Sequence, residues 1–180
     1  EKDSAFLFNG NISTSKNDLN LKTISKIFQL DLRSIENDKI IFSSNNKISF
    51  KLSKKFKFSN IKANSKFNIE SLEYSNSSLK EFFPGYKNGV KFENNIINLD
   101  YQNGNYKISG DSELNVNEDI DSLRYSIEKK KDKIFFKTDF EIKSNALNLD
   151  LLNYTKKKGV KSNLIVEGVV NKNNSVFLNK

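Results

Sequence analysis

Residues 106–116 read Tyr106-Lys107-Ile108-Ser109-Gly110-Asp111-Ser112-Glu113-Leu114-Asn115-Val116. Tyr106, Ile108, Leu114 and Val116, with the small Gly110 and Ser112, share one parity. Lys107, Ser109, Asp111, Glu113 and Asn115 share the other. Side chains of a strand point alternately to opposite faces, so a period of two marks a strand with one face buried and one in water. The pattern recurs in Ile134, Phe136, Thr138, Phe140, Ile142 and in Ile97, Leu99, Tyr101. It recurs again in Ile48, Phe50, Leu52; in Leu123, Tyr125, Ile127; in Leu147, Leu149, Leu151; in Phe6, Phe8; and in Leu164, Val166, Gly168, Val170.

Asn103-Gly104-Asn105 separates two such runs and predicts a tight hairpin, because both central positions of that turn favour positive φ. Asn88-Gly89, Asn9-Gly10 and Asn45-Asn46 read as similar breaks, and Lys129-Lys130-Lys131-Asp132 as a charged hairpin tip. Two runs slip by one residue: Phe56, Phe58 give way to Ile61, Ala63, and Phe67, Ile69 to Leu72, Tyr74. Each slip predicts a bulge or turn, since otherwise every later side chain would change face. Helix is scarce. Ser78–Phe83 predicts a turn and a half capped by Ser78 and ended by Pro84. Thr23–Leu30 has Ile24, Ile27 and Phe28 at helical spacing, and Asp150–Lys156 reads as a strand end or a short helical turn. The fold class expected is all-β: a long antiparallel meander sheet, curled into an open groove, with one or two short helices. Residues 1–180 read as a single β-rich segment, and a sub-boundary, if there is one, falls near 84–89.

Composition excludes most chemistry. The 180 residues contain no His, Cys, Met or Trp. Without His and Cys there is no haem, iron–sulfur or ordinary zinc ligand set, and no Ser–His or Cys–His dyad. No phosphate-cradling glycine loop occurs. The densest acids, Glu118, Asp119 and Asp121, sit among Asn and read as solvated loop carboxylates rather than a glycosidase pair, and no EF-hand pattern surrounds them. The chain is therefore expected to be non-enzymatic, with no catalytic residues, cofactor or metal. Fifteen Phe and six Tyr give it enough apolar surface for a core despite 29% charged residues. The net charge of +8 comes almost wholly from Lys, with Arg33 and Arg124 the two arginines. Lys is spread along the chain, as expected of an AT-rich coding sequence, so the charge alone does not announce a polyanionic partner. Ile48–Phe58 mixes Lys and Phe, but Phe56 and Phe58 share a parity opposite Lys57, the ordinary pattern of core and surface; no nucleic-acid partner is expected. Three Asn-x-Ser/Thr triplets, at Asn11, Asn76 and Asn153, are what chance gives in a chain this rich in Asn and Ser.

Geometry then poses a problem. About twelve strands paired in order would span nearly 60 Å at about 4.8 Å per strand, and open sheets of that width curl or split. Too little helix is available to cover the apolar face. It must close as a barrel or sandwich, pack on another part of a longer protein, or curl around an apolar ligand. The chain begins at Glu1, and both ends lie within strand-like pattern, so the expectation is an internal segment of something longer. No stretch approaches the length of apolar residues that a membrane helix requires.

The stretch Phe140-Glu-Ile-Lys-Ser-Asn-Ala-Leu-Asn-Leu-Asp-Leu-Leu-Asn-Tyr154-Thr-Lys156-Lys-Lys-Gly159, followed by the strand Asn163-Leu-Ile-Val-Glu-Gly168, resembles the AsmA-like family of YhdP/TamB-like bridge proteins. Gly110-Asp-Ser-Glu-Leu114 is similar in style, and the resemblance lies mainly in residues 106–170. It implies a periplasmic segment of a groove-forming β-protein, attached to the inner membrane through a part of the chain not present here. The groove would carry phospholipid between inner and outer membranes without catalysis. Its partners would be phospholipid acyl chains, the rest of the same chain and the two membranes. The candidate lipid-facing residues are Phe136, Phe140, Ile142, Leu147 and Leu149. The alternatives are a structural or adhesive β-sandwich module of a bacterial surface protein, or a segment of an outer-membrane barrel.

Overall fold

A computed structural model describes residues 5–22, 33–87, 89–116, 119–150, 153–171 and 175–178. Within them are eleven strands: β1 (Ala5–Asn20), β2 (Lys39–Ser53), β3 (Phe58–Tyr74), β4 (Val90–Gln102), β5 (Asn105–Val116), β6 (Asp119–Lys130), β7 (Lys133–Ile142), β8 (Leu147–Leu149), β9 (Tyr154–Lys156), β10 (Ser162–Val170) and β11 (Val176–Leu178). One helix, α1 (Leu79–Phe82), precedes β4. Nine strands make a single antiparallel sheet in the order β1-β2-β3-β4-β5-β6-β7-β10-β11, and β8 and β9 pair separately. The sheet is an all-β curled meander that does not close into a barrel. β3 and β4 pair from Lys62↔Gln102 to Tyr74↔Val90, so the sheet runs on across residues 84–89.

Alternation fixes the inner face. On β5 the burial follows the parity, with Gly110, Ser112, Leu114 and Val116 buried and Lys107, Asp111 and Glu113 exposed. Register then lines up rows across the sheet. One row runs Gly10, Ile48, Ala63, Tyr101, Tyr106, Lys129, Ile134, Val170. The next in the same direction runs Ile12, Asn46, Ser65, Leu99, Ile108, Ile127, Phe136, Gly168. Both slips read from the sequence occur as irregularities. Asn60 (φ 51) lies at the register shift between Ser49 and Lys51. Asn94 (φ 52) faces Glu70, where the β3–β4 ladder skips a pair and β4 shifts against β5. Asn tolerates the left-handed region better than most residues, so it is the natural occupant of both bulges.

The Asn103-Gly104 hairpin forms as expected, with φ of 47 and 87, and Lys131 (φ 55) turns the β6–β7 hairpin. Asn9-Gly10 and Asn45-Asn46 are not breaks. They lie inside β1 and β2 and pair with Ser49, Ile48, Ser13 and Ile12. Asn46 Nδ2 donates to the Ile12 carbonyl (3.1 Å), so a turn-former here braces the edge strand instead of ending it. Gly89 immediately precedes β4, and Asn88 lies outside the described residues. The Ser78 side chain makes no cap; its N–H instead donates to Asn76 Oδ1 (2.9 Å), an Asx turn that starts the helical segment two residues earlier than a Ser cap would. Thr23–Leu30 lies outside the described residues, whereas Asp150–Lys156 ends in strand β9.

One end of the inner face is closed. α1 and the following turn present Phe83 and Tyr86, which join Val90, Leu114, Val116, Ile142 and Leu147 in a buried cluster. Phe83 and Phe140 meet edge to face with centroids 6.1 Å apart. The β8–β9 hairpin covers this cluster and is held by a buried polar latch. The Asp121 carboxylate, 1% exposed, accepts from the N–H groups of Lys143 (2.6 Å), Ser144 (2.9 Å) and Asn145 (3.3 Å) and from Asn145 Nδ2 (2.8 Å). Buried Lys156 donates from Nζ to the Asn145 carbonyl (2.6 Å). Asp119 and Asp121 are thus not loop acids. They lie on β6, where Asp121 organises the turn after β7, and Asp119 is ion-paired with Lys158 (2.5 Å).

Candidate binding groove

Away from the closed end, the sheet leaves a trough of about 920 Å³ across β1 to β6. Its lining includes the row Gly10, Ile48, Ala63, Tyr101, Tyr106 and Lys129 together with the residues flanking that row. The hollow follows from side-chain size. Glycine and alanine leave the backbone bare at β1 and β3, while Tyr101 and Tyr106 stand opposite each other on β4 and β5. Its volume is at the upper end of small-molecule sites, about 300–1,000 Å³.

Basic residues outnumber acidic ones in the lining. Lys47, Lys62, Lys107, Lys129, Lys130 and Lys131 line it, against Asp100 and Glu128. Both acids are engaged: Glu128 pairs with Lys130 (2.9 Å), and Asp100 accepts from Asn64. Lys129 Nζ stands 5.9 Å from the centroid of the Tyr106 ring, a cation held over an aromatic face. Lys47, Lys62, Lys107 and Lys130 alternate with the Ile48, Ala63, Tyr101 and Tyr106 row, so their side chains leave the opposite face of the sheet; of the strand lysines lining the trough, only Lys129 shares the row's face. The trough therefore offers aliphatic and aromatic surface with one ammonium group held beside it, a combination suited to an amphiphile with an anionic head. Among the described residues no group of three or more acidic side chains is placed to hold a metal ion.

Comparison with protein-family models, with curated proteins and with solved structures finds no match. The site is read from its own geometry.

The five residues named from the sequence fall in two places. Ile142 and Leu147, 0% and 2% exposed, are sealed in the closed cluster, and Phe140 and Leu149 pack against it. In this arrangement Ile142 and Leu147 have no surface left for a ligand. Phe136 lies one row from the trough, on β7, where its ring lies against Gly168. Parity placed all five on apolar faces; it does not say which part of a face the β8–β9 hairpin covers.

The trough residues Ile48, Tyr101 and Tyr106 were visible as strand positions, but nothing in the alternation marks where the face stays open. One signal was available and concerns charge. Residues 39–69 contain eight Lys and no Arg, Asp or Glu. The remaining 22 basic residues are matched by the 22 acidic ones, so residues 39–69, from the start of β2 to Ile69 in β3, account for the whole net charge of +8. Lysines are spread along the chain; acids are not, and the imbalance is local.

Proposed function

We propose that this chain is a non-catalytic, lipid-holding segment of a groove-forming β-protein. The observation that carries the reading is the trough across β1–β6, open apolar and aromatic surface with Lys129 held over the Tyr106 ring. Acyl chains would lie against Ile48, Ala63, Tyr101 and Tyr106, each buried methylene contributing about 0.8 kcal/mol. An anionic headgroup would sit at Lys129, which shares the face of these residues. The curled, one-sided sheet also fits the AsmA-like resemblance of residues 106–170. On that reading the segment is periplasmic and passes phospholipid between the inner and outer membranes within a longer chain.

The test is native mass spectrometry with lipid extraction on protein purified from bacterial cells. Co-purified phospholipid, lost on Ala63→Trp while the urea midpoint is unchanged, supports the groove. A folded protein free of lipid, or lipid retained in full by Ala63→Trp, overturns it.

A further inference from the structure

Beyond the trough, β1, β2 and β3 reach further than the rest of the sheet. The β4–β5 turn stops at Ile61, whose carbonyl accepts from Asn103 N–H (3.0 Å). Residues 51–60 and their β1 partners project past it as a three-stranded finger. The finger carries aromatic side chains that no core absorbs. Phe8 stacks on Phe50 (5.0 Å), and Phe50 meets Phe58 edge to face (5.2 Å). Phe58 remains 62% exposed, and Phe56, at the tip, 81%.

Phe56 also has φ of 56, the left-handed region where glycine belongs. The turn enforces it: Phe56 N–H donates to the Ser53 carbonyl (2.9 Å), and Ser53 N–H to the Lys57 carbonyl (3.0 Å). A bulky residue in that conformation is strained, and here the strain holds an aromatic ring out in solvent. Lys51, Lys54, Lys55 and Lys57 surround it within the segment that lacks acids. Among the described residues no carboxylate pairs with any of these four.

We infer that the β2–β3 tip is a membrane-docking finger: Phe56 and Phe58 enter the interface of an anionic bilayer while the four lysines bind its headgroups. Exposed Phe beside Lys, on an extremity rather than a flat face, is the chemistry of interfacial insertion. Single-stranded nucleic acid is a poorer fit, because the rings of Phe8, Phe50 and Phe58 pack on one another instead of standing apart for bases to stack on. The inference rests on the lipid-groove reading and deepens it, since the trough begins where the finger joins the sheet and the finger would place that mouth at the membrane.

The test is co-sedimentation of the chain with phosphatidylglycerol-rich and with pure phosphatidylcholine vesicles. Binding to the first and not the second is expected. Phe56→Gly relieves the backbone and removes the ring, so it should fold as well as the parent yet bind about tenfold more weakly. Replacing Lys54, Lys55 and Lys57 by Gln should weaken binding on the order of a hundredfold at low salt. No vesicle binding, equal binding to both vesicles, or binding untouched by either variant overturns the finger. So does a Phe56-dependent shift of a single-stranded oligonucleotide without vesicle binding, or self-association that Phe56→Gly abolishes. Lipid that still co-purifies when vesicle binding fails overturns the finger alone; vesicle binding by a lipid-free protein overturns the groove alone.

Discussion

Replacing Asp121 by Ala should release the β8–β9 hairpin and destabilise the chain by about 3–5 kcal/mol. The carboxylate accepts four hydrogen bonds, and they do not count equally. Lys143 is exposed and Ser144 half-buried, so water can take over their N–H groups. Asn145 is buried: its backbone N–H would lose its acceptor, and its Nδ2 would lose one of two, keeping the Asp119 carbonyl (3.1 Å). A hydrogen bond to a charged group contributes a net of about 1.5–3 kcal/mol, and a buried donor left unpaired loses its full solvation. Two such losses give the figure stated, a large share of the roughly 5–15 kcal/mol that holds a domain together. Urea unfolding should show the midpoint falling by about 2 M with the slope unchanged. Hydrogen exchange should show the amides of Lys143, Ser144 and Asn145 losing protection below the global unfolding limit. Asp121→Asn, which keeps the shape but turns an amide toward donors, should fall between parent and Ala. A loss below about 1 kcal/mol, or unchanged protection at 143–145, would show that the latch does not hold this end of the sheet.

Two other perturbations probe the inner face. A Cβ at Gly168 would lie 2.4 Å from the Phe177 carbonyl oxygen and 2.8 Å from Phe136 Cζ; Gly168→Val should cost about 1–3 kcal/mol and unseat β11, read as lost amide protection in β10 and β11. Burial first, and then the Asp111 carboxylate, push the Tyr125 phenol above its ordinary value of 10.0. The folded state thus favours the protonated phenol, so this contribution is complete below pH 10.0 and is lost as pH rises through the higher folded value. Urea midpoints measured on either side of that pH should fall in the parent and fall less in Tyr125→Phe.

Much of the sheet was legible because alternation is a local property. Tyr106–Val116 gave both strand and inner face, and Asn103-Gly104 gave the hairpin, since positive φ at two consecutive residues strongly restricts what can stand there. Asn9-Gly10 and Asn45-Asn46 misled for the same reason: the composition of a turn does not exclude a paired strand when neighbours on both sides carry a strong period. Asp121 looked like a solvated acid because its partners lie more than twenty residues away, in a turn that sequence cannot bring to it. The closed end was hidden likewise. Ile142 and Leu147 share the apolar character of Ile48 and Tyr101, and only the docking of α1 and β8–β9 separates sealed from open. The charge imbalance of residues 39–69 was written in the sequence, in the acids that are missing there.

Apart from the step over β8–β9, every strand of the large sheet pairs with its neighbour in the chain. Such a sheet has no contact that must wait for a distant segment to arrive, and its stability is close to a sum of adjacent pairings, as in stacked repeats. Hairpins could be added or removed at either flank without rearranging the others, so the width of a sheet built this way can vary by increments of one hairpin. A lineage could therefore widen or narrow such a sheet by duplicating or deleting short stretches of coding sequence, leaving the latched end untouched.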